Sequence, residues 1–153
     1  MCEDVQGNIY TCSEDDFSIY RFNRASGKLV RIAAGYLNHP AGVVIAKSTA
    51  GSGSVTGWSL YVAEYFYLWE IPNVAAPAPT LLDPGAPGIG HSLGYFPPST
   101  GTLRAITRNP SGSGFFVSTA GGTIERMLMT GVRQQVARLG PGAHRRPRRH
   151  HHE

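Results

Sequence analysis

Cysteine, methionine, charge and long apolar runs are all scarce in this chain, and each scarcity removes a class of protein. Two cysteines in 153 residues are too few for a disulfide framework or a cysteine-rich zinc site. If Asp4 to Gly7 makes a tight turn, Cys2 lies across from about Ile9 or Tyr10 and Cys12 lies beyond the end of the partner strand. That register argues against a bond between them, and two half-buried, unpaired thiols are the expectation over a disulfide or metal pair. No apolar run approaches the ~18 residues a membrane span needs, and no charged-then-apolar signal segment opens the sequence. The sequence begins in the middle of a structural unit, so the missing signal assigns no compartment. No HExxH, Walker loop or nucleophile elbow is present either, and no residue is assigned a catalytic role.

What the chain does have is turn residues. Nineteen glycines and 11 prolines stand beside only 3 methionines and a 41% hydrophobic fraction, the composition of a globular, turn-rich, helix-poor protein. An all-β fold in one compact unit is the expectation. The formal charge of +4 invites a nucleic-acid reading, but residues 1–140 are close to neutral. The excess sits in Arg145, Arg146, Arg148 and Arg149, and 141–153 reads as a disordered basic tail. Nucleic acid is an unlikely partner except through that tail. The run His150 to His152 is a weak metal-binding tract or an expression scar and is set aside.

Three segments repeat. GNIYTC (Gly7 to Cys12), GWSLYVAE (Gly57 to Glu64) and GSGFFVST (Gly112 to Thr119) each place a glycine before a run of β-branched and aromatic residues, as a turn feeding a strand does. Each is followed at nearly constant spacing by a second strand-like piece: Ser18 to Phe22, Leu68 to Ile71 and Thr123 to Met127. Ala41 to Lys47 and Arg104 to Pro110 precede the second and third copies, while the first shows only Met1 to Asp4 there. Lys28 to Ala33, Ala78 to Asp83 and Val132 to Leu139 supply the outermost strands. The unit is a four-stranded antiparallel meander, with one incomplete and two complete copies. A single such sheet has two faces to bury, so the units stack face to face, around a channel or in a line.

LNHPAGVVIA followed by SLYVAEYFYLWEI, Leu37 to Ile71, resembles the NHL-repeat propellers, and Gly7 to Ala33 matches the later part of the same blade. Asn109, Pro110 and Phe115 to Ser118 carry a looser match in the third copy. Similar blades occur in gluconolactonase-like and strictosidine-synthase-like six-bladed propellers. The resemblance implies an all-β partial β-propeller of about three four-stranded antiparallel blades, the first incomplete. Blade 1 is expected over about 1–36, blade 2 over 37–84 and blade 3 over 103–140, with 85–102 a long connecting loop. The sequence departs from the pattern at Glu64, where an aspartate is usual, and around Trp69, where an arginine is common. Such propellers close with about six blades, so the chain is a piece of a longer propeller or self-associates to complete the ring.

In a meander blade the loop between the second and third strands and the entry to the next blade share one end. That end gathers Glu14, Asp15 and Asp16, then Asn38 and His39, then Glu64, Tyr65 and Phe66, then the Pro84 to Thr102 connection with His91 and Tyr95. The binding candidates are therefore Asp15, Asp16, Asn38, His39, Glu64, Tyr65, His91 and Tyr95. Asp15 and Asp16 equally suit a turn, His39 ahead of Pro40 an extended loop conformation, and Glu64 a hydrogen bond to the backbone of a neighbouring blade. Acidic groups with asparagine suit a hard divalent cation such as calcium, although no cofactor is certain. The leading expectation is a binding or scaffold propeller taking a protein or carbohydrate ligand. The alternative is a fragment of a metal-dependent lactonase-like hydrolase, which needs acidic or asparagine ligands on the innermost strands; Ala41 to Ala46 offers none, and Arg104 to Asn109 only Asn109.

Overall fold

The computed structural model describes residues 1–34, 37–47, 58–72 and 91–139. These residues form three four-stranded sheets. The first holds β1 (Cys2–Glu3), β2 (Ile9–Ser13), β3 (Ser18–Asn23) and β4 (Lys28–Ala34). The second holds β5 (Pro40–Lys47), β6 (Trp58–Glu64), β7 (Tyr67–Pro72) and β8 (His91–Tyr95), and the third β9 (Leu103–Arg108), β10 (Gly114–Thr119), β11 (Thr123–Leu128) and β12 (Arg133–Arg138). Each sheet is an antiparallel meander in chain order. Apart from a three-residue 3-10 turn at Pro98–Thr100 the described residues carry no other helix, and none is long and apolar enough to cross a membrane.

Cys2 pairs with Tyr10, and both cysteines are free and half-buried. Burial among apolar neighbours pushes the Cys2 thiol up to about 11 and raises that of Cys12, so neither is a reactive thiolate at neutral pH.

One expected feature is corrected. The stretch 85–102 is not a plain connecting loop: His91–Tyr95 is a strand, pairing Glu70 with His91 and Tyr67 with Tyr95. It takes the outermost place in the second sheet that Ala78 to Asp83 was expected to fill; Ala78 to Asp83 lies outside the described residues. The reason is packing. A side chain at Gly94 would run into Met127 of the third sheet, so a residue that reads as a loop marker is the one that lets two sheets approach. The tail 141–153 also lies outside the described residues.

The three sheets repeat down to their irregularities. The β3–β4 register shifts after Ile19, the β7–β8 register after Leu68 and the β11–β12 register after Ile124. These residues pair with Cys12, Ala63 and Ser118 respectively. The equivalence extends two pairs along, where Tyr10, Tyr61 and Phe116 pair with Arg21, Glu70 and Arg126.

Strand alternation then sorts side chains between the two faces of each sheet. Tyr10 and Ile19 of the first sheet meet Val43, Leu60, Val62 and Ile71 of the second. Tyr61, Ala63 and Leu68, on the opposite face of the second sheet, meet Leu103, Phe115, Val117 and Met127 of the third. Tyr61 and Phe115 lie ring on ring at 4.4 Å. Each such side chain, fully buried, contributes roughly 1.5–3 kcal/mol. Gly42 brings the innermost strands together, since a Cβ there would sit 3.1 Å from the Ile106 amide nitrogen.

Candidate functional site: a rim of aromatic turns

The β2–β3 turn, the β6–β7 turn and the segment entering β5 lie at one end of the sheets. Left-handed backbone is rare for side-chain-bearing residues, costing roughly 1–2 kcal/mol each. Among the described residues three non-glycines adopt it: Phe17 (φ 55°), His39 (φ 65°) and Tyr65 (φ 44°). All three are at this end, one from each of the three segments. At the other turns of the described residues the positive φ falls on glycine, as at Gly7, Gly27, Gly112 and Gly131. His39 is thus not in the extended conformation that a following proline favours.

The three side chains form a row. Phe17 meets His39 edge to face at 5.2 Å, and His39 lies against Tyr65 at 5.5 Å. Tyr65 in turn meets Phe66 at 4.6 Å. Glu14 anchors the histidine, its carboxylate 3.6 Å from Nδ1. The backbone beneath is tied down from two sides: Leu103 N–H, at the start of the third sheet, donates to the Tyr65 carbonyl and Phe96 N–H, just after β8, to that of Phe66, both at 2.7 Å.

Beside the row opens a cleft of about 350 Å³ lined by Asn38, His39, Glu64, Tyr65, Tyr67 and Trp69. Glu64 is 6% exposed and accepts a hydrogen bond from the Asn38 backbone N–H. Burial raises its pKa, with the Asn38 N–H, the Trp69 side chain and His39 pulling the other way. The buried Trp69 Nε1–H is close enough to act on this carboxylate but closes no hydrogen bond of ordinary geometry with it or any other group. An acceptor and an unsatisfied donor therefore stand side by side in the cleft wall. Outside it, Tyr67 lies 5.7 Å from Trp69 and 5.2 Å from Tyr95, and both tyrosines are exposed. Among the described residues no lysine or arginine lines the cleft.

The eight candidate residues separate. Asn38, His39, Glu64 and Tyr65 come together in the cleft, and Tyr95 flanks it through Tyr67. Asp16 belongs to the framework of the first sheet. It accepts from the Tyr20 hydroxyl and lies 3.9 Å from Arg31; the Tyr20 bond leads in lowering its pKa. Asp15 is exposed and not in the cleft lining. His91 is corrected: its pairing with Glu70 puts it at the far end of β8, about 13 Å along the strand from Tyr95. Phe17, Tyr67 and Trp69 were not among the candidates; the alternation of Tyr67 and Trp69 on one face of β7 was their available signal. Among the described residues no three His, Cys, Asp or Glu side chains gather where they would hold a metal ion.

No protein-family model and no curated protein matches the sequence. Solved structures do match its fold. A catalytically inactive virginiamycin B lyase from Staphylococcus aureus with quinupristin is similar over 90% of this chain and 40% of its own, at TM-score 0.60 and 12% identity. An auxiliary nutrient binding protein from Bacteroides thetaiotaomicron follows at 0.56 and 10%, over 87% of this chain and 34% of its own. A protein of unknown function from the same organism gives 0.57 and 10%, over 88% and 30%. The lyase and the nutrient-binding protein are β-propellers. This chain is a partial β-propeller. It spans less than half the length of each of these structures, and its three sheets are blades 1, 2 and 3, the first with a two-residue innermost strand.

Proposed function

We propose that this partial propeller is a binding module and that its ligand is a carbohydrate, held in the cleft between Asn38, Glu64, Tyr67 and Trp69. The observation that carries the reading is the meeting in one cleft wall of the Glu64 carboxylate, an acceptor, with the buried Trp69 indole N–H, a donor that acts on it without closing a full hydrogen bond. A hydroxyl group answers both at once, donating to the carboxylate and accepting from the indole. An alkylammonium ligand answers only the first. The exposed rings of Tyr67 and Tyr95 offer apolar faces for the C–H face of a sugar ring, which pockets with aromatic walls and few polar groups suit. The backbone strain at Phe17, His39 and Tyr65 supports the reading, because such strain is concentrated at binding and catalytic sites. The NHL-like pattern of Leu37 to Ile71 and the likeness to a nutrient-binding propeller fit a binding role. The lactonase-like alternative gains little from the innermost strands: β5 and β9 carry no acidic or asparagine residue, Glu3 on β1 is paired with Arg24 at 3.3 Å, and the Asn109 amide is bonded to Ser113 Oγ at 3.3 Å.

The test is a titration of the chain with neutral mono- and oligosaccharides, followed by tryptophan fluorescence and by calorimetry. A saturable signal that weakens at least about tenfold, roughly 1.4 kcal/mol, in Tyr67→Ala and Trp69→Phe is expected. Absence of binding to every sugar, or binding that both variants leave intact, overturns the carbohydrate reading. A peptide ligand that competes at the same residues would move the site to protein recognition.

A further inference from the structure

Blade 3 and blade 1 each present a face that nothing among the described residues covers, and the two faces have complementary patterns. On the face that each blade turns toward the next, Tyr10 and Ile19 are fully buried under blade 2, and Tyr61 and Leu68 are fully buried under blade 3. The equivalent pair on blade 3, Phe116 and Ile124, is open: Phe116 is half-buried and Ile124 is 41% exposed. On the face that receives the preceding blade, Leu60 and Ile71 of blade 2 pack against blade 1, and Phe115 and Met127 of blade 3 pack against blade 2. The equivalent pair on blade 1 is Ile9 and Phe22, paired with one another in the sheet and only half-buried.

We propose that two copies of this chain stack head to tail, blade 3 of each against blade 1 of the other, and close one six-bladed ring. Three arguments favour a second copy as the occupant. The open face of blade 3 repeats the blade 1 face already seated on blade 2, down to Arg126 standing where Arg21 stands. The open face of blade 1 repeats the receiving face of blade 2. The two therefore match as the blade 1–blade 2 junction does, whereas either face against itself would set like on like. Charges agree as well. The buried Arg126 Nε has no hydrogen-bond partner, and blade 1 carries Glu3 beside Ile9, at the same end of the sheet and half-exposed in a pair with Arg24. Such a heterologous contact, used twice, closes with two-fold symmetry and leaves no open sheet face. Both carbohydrate clefts then fall on one rim of the ring.

Light scattering of the full chain over a roughly hundredfold dilution series tests this, with a mass of twice 16.5 kDa expected. Ile124→Asp and Ile9→Asp each spoil one face, and each alone weakens dimerisation at least about tenfold. Mixing the two variants restores one intact junction and returns a dimer. Circular dichroism verifies the strands in each variant; Leu29→Asp, at an exposed position beside Phe22, replaces Ile9→Asp if that chain fails to fold. A native chain that stays monomeric throughout overturns the proposal. So does a dimer that Ile124→Asp leaves intact, since that contact would not involve blade 3.

Discussion

The β6–β7 turn of blade 2 and the β10–β11 turn of blade 3 join equivalent strands, and they meet the same backbone demand with opposite side chains. Both need a residue of positive φ to reverse the chain at the rim. Blade 3 uses Gly122 at φ 76°, and a Cβ there would find only ordinary contact with Leu139. Blade 2 uses Tyr65, in the first position of a two-residue turn where glycine is usual. Blade 1 sides with blade 2, placing Phe17 immediately before β3 as Gly122 stands immediately before β11. The glycine turn is a folding solution. The aromatic turns carry a backbone cost of roughly 1–2 kcal/mol each and put rings beside the cleft, a cost that the proposed binding role would explain.

Exchanging the side chains tests that difference. Gly122→Tyr imposes the blade 2 solution on blade 3, where no ring row waits to receive it; a loss of about 1–2 kcal/mol in chemical denaturation is expected. An unchanged midpoint would mean that left-handed aromatic turns are cheap in this fold, and the strain argument for the site would fail. The reverse exchange has a smaller effect of opposite sign. Tyr65→Gly relieves the left-handed penalty but adds the chain entropy of glycine, leaving a net gain of about 0.5–1 kcal/mol. The same variant loses saccharide binding by at least about tenfold. A variant that is less stable than the native chain would show that the contacts of Tyr65 with His39 and Phe66 outweigh the strain.

Most of the architecture was legible because it rests on period two and on repetition. Tyr10, Tyr61 and Phe116 stand at the same place in three sequence segments, and the structure pairs them equivalently with Arg21, Glu70 and Arg126. What was misread depends on relations that no local pattern encodes. Gly94 made 85–102 look like a connector, yet it is a strand residue whose bareness accommodates Met127 from the next blade. The cleft was half legible. Asn38, His39, Glu64 and Tyr65 follow from topology, because the meander sends their segments to one end. Phe17 entered only through its backbone conformation, which sequence rules assign to glycine or asparagine, and Trp69 only through the lack of a full hydrogen bond at its indole N–H.

The finest test concerns the Glu64 carboxylate. Its pKa is raised in the folded chain, by burial first, so between the ordinary glutamate range and the raised value the folded state holds more protons than the unfolded one. Stability must then fall as pH rises through that window, beginning at about pH 4. Above it the cost of burying the charged form is fully present. Glu64→Gln retains a side-chain acceptor for the Asn38 N–H and does not titrate, so the variant should lack this decline and overtake the native chain as pH increases. Denaturation midpoints of both chains across the acid-to-neutral range measure the difference. His39, Asn38 and Trp69 are common to both, so their contributions cancel to first order. Parallel curves would mean that water reaches the carboxylate in the folded state. The cleft would then have no desolvated acceptor to offer a sugar hydroxyl, and the rim of blade 2 would lose the feature that most separates it from the rim of blade 3.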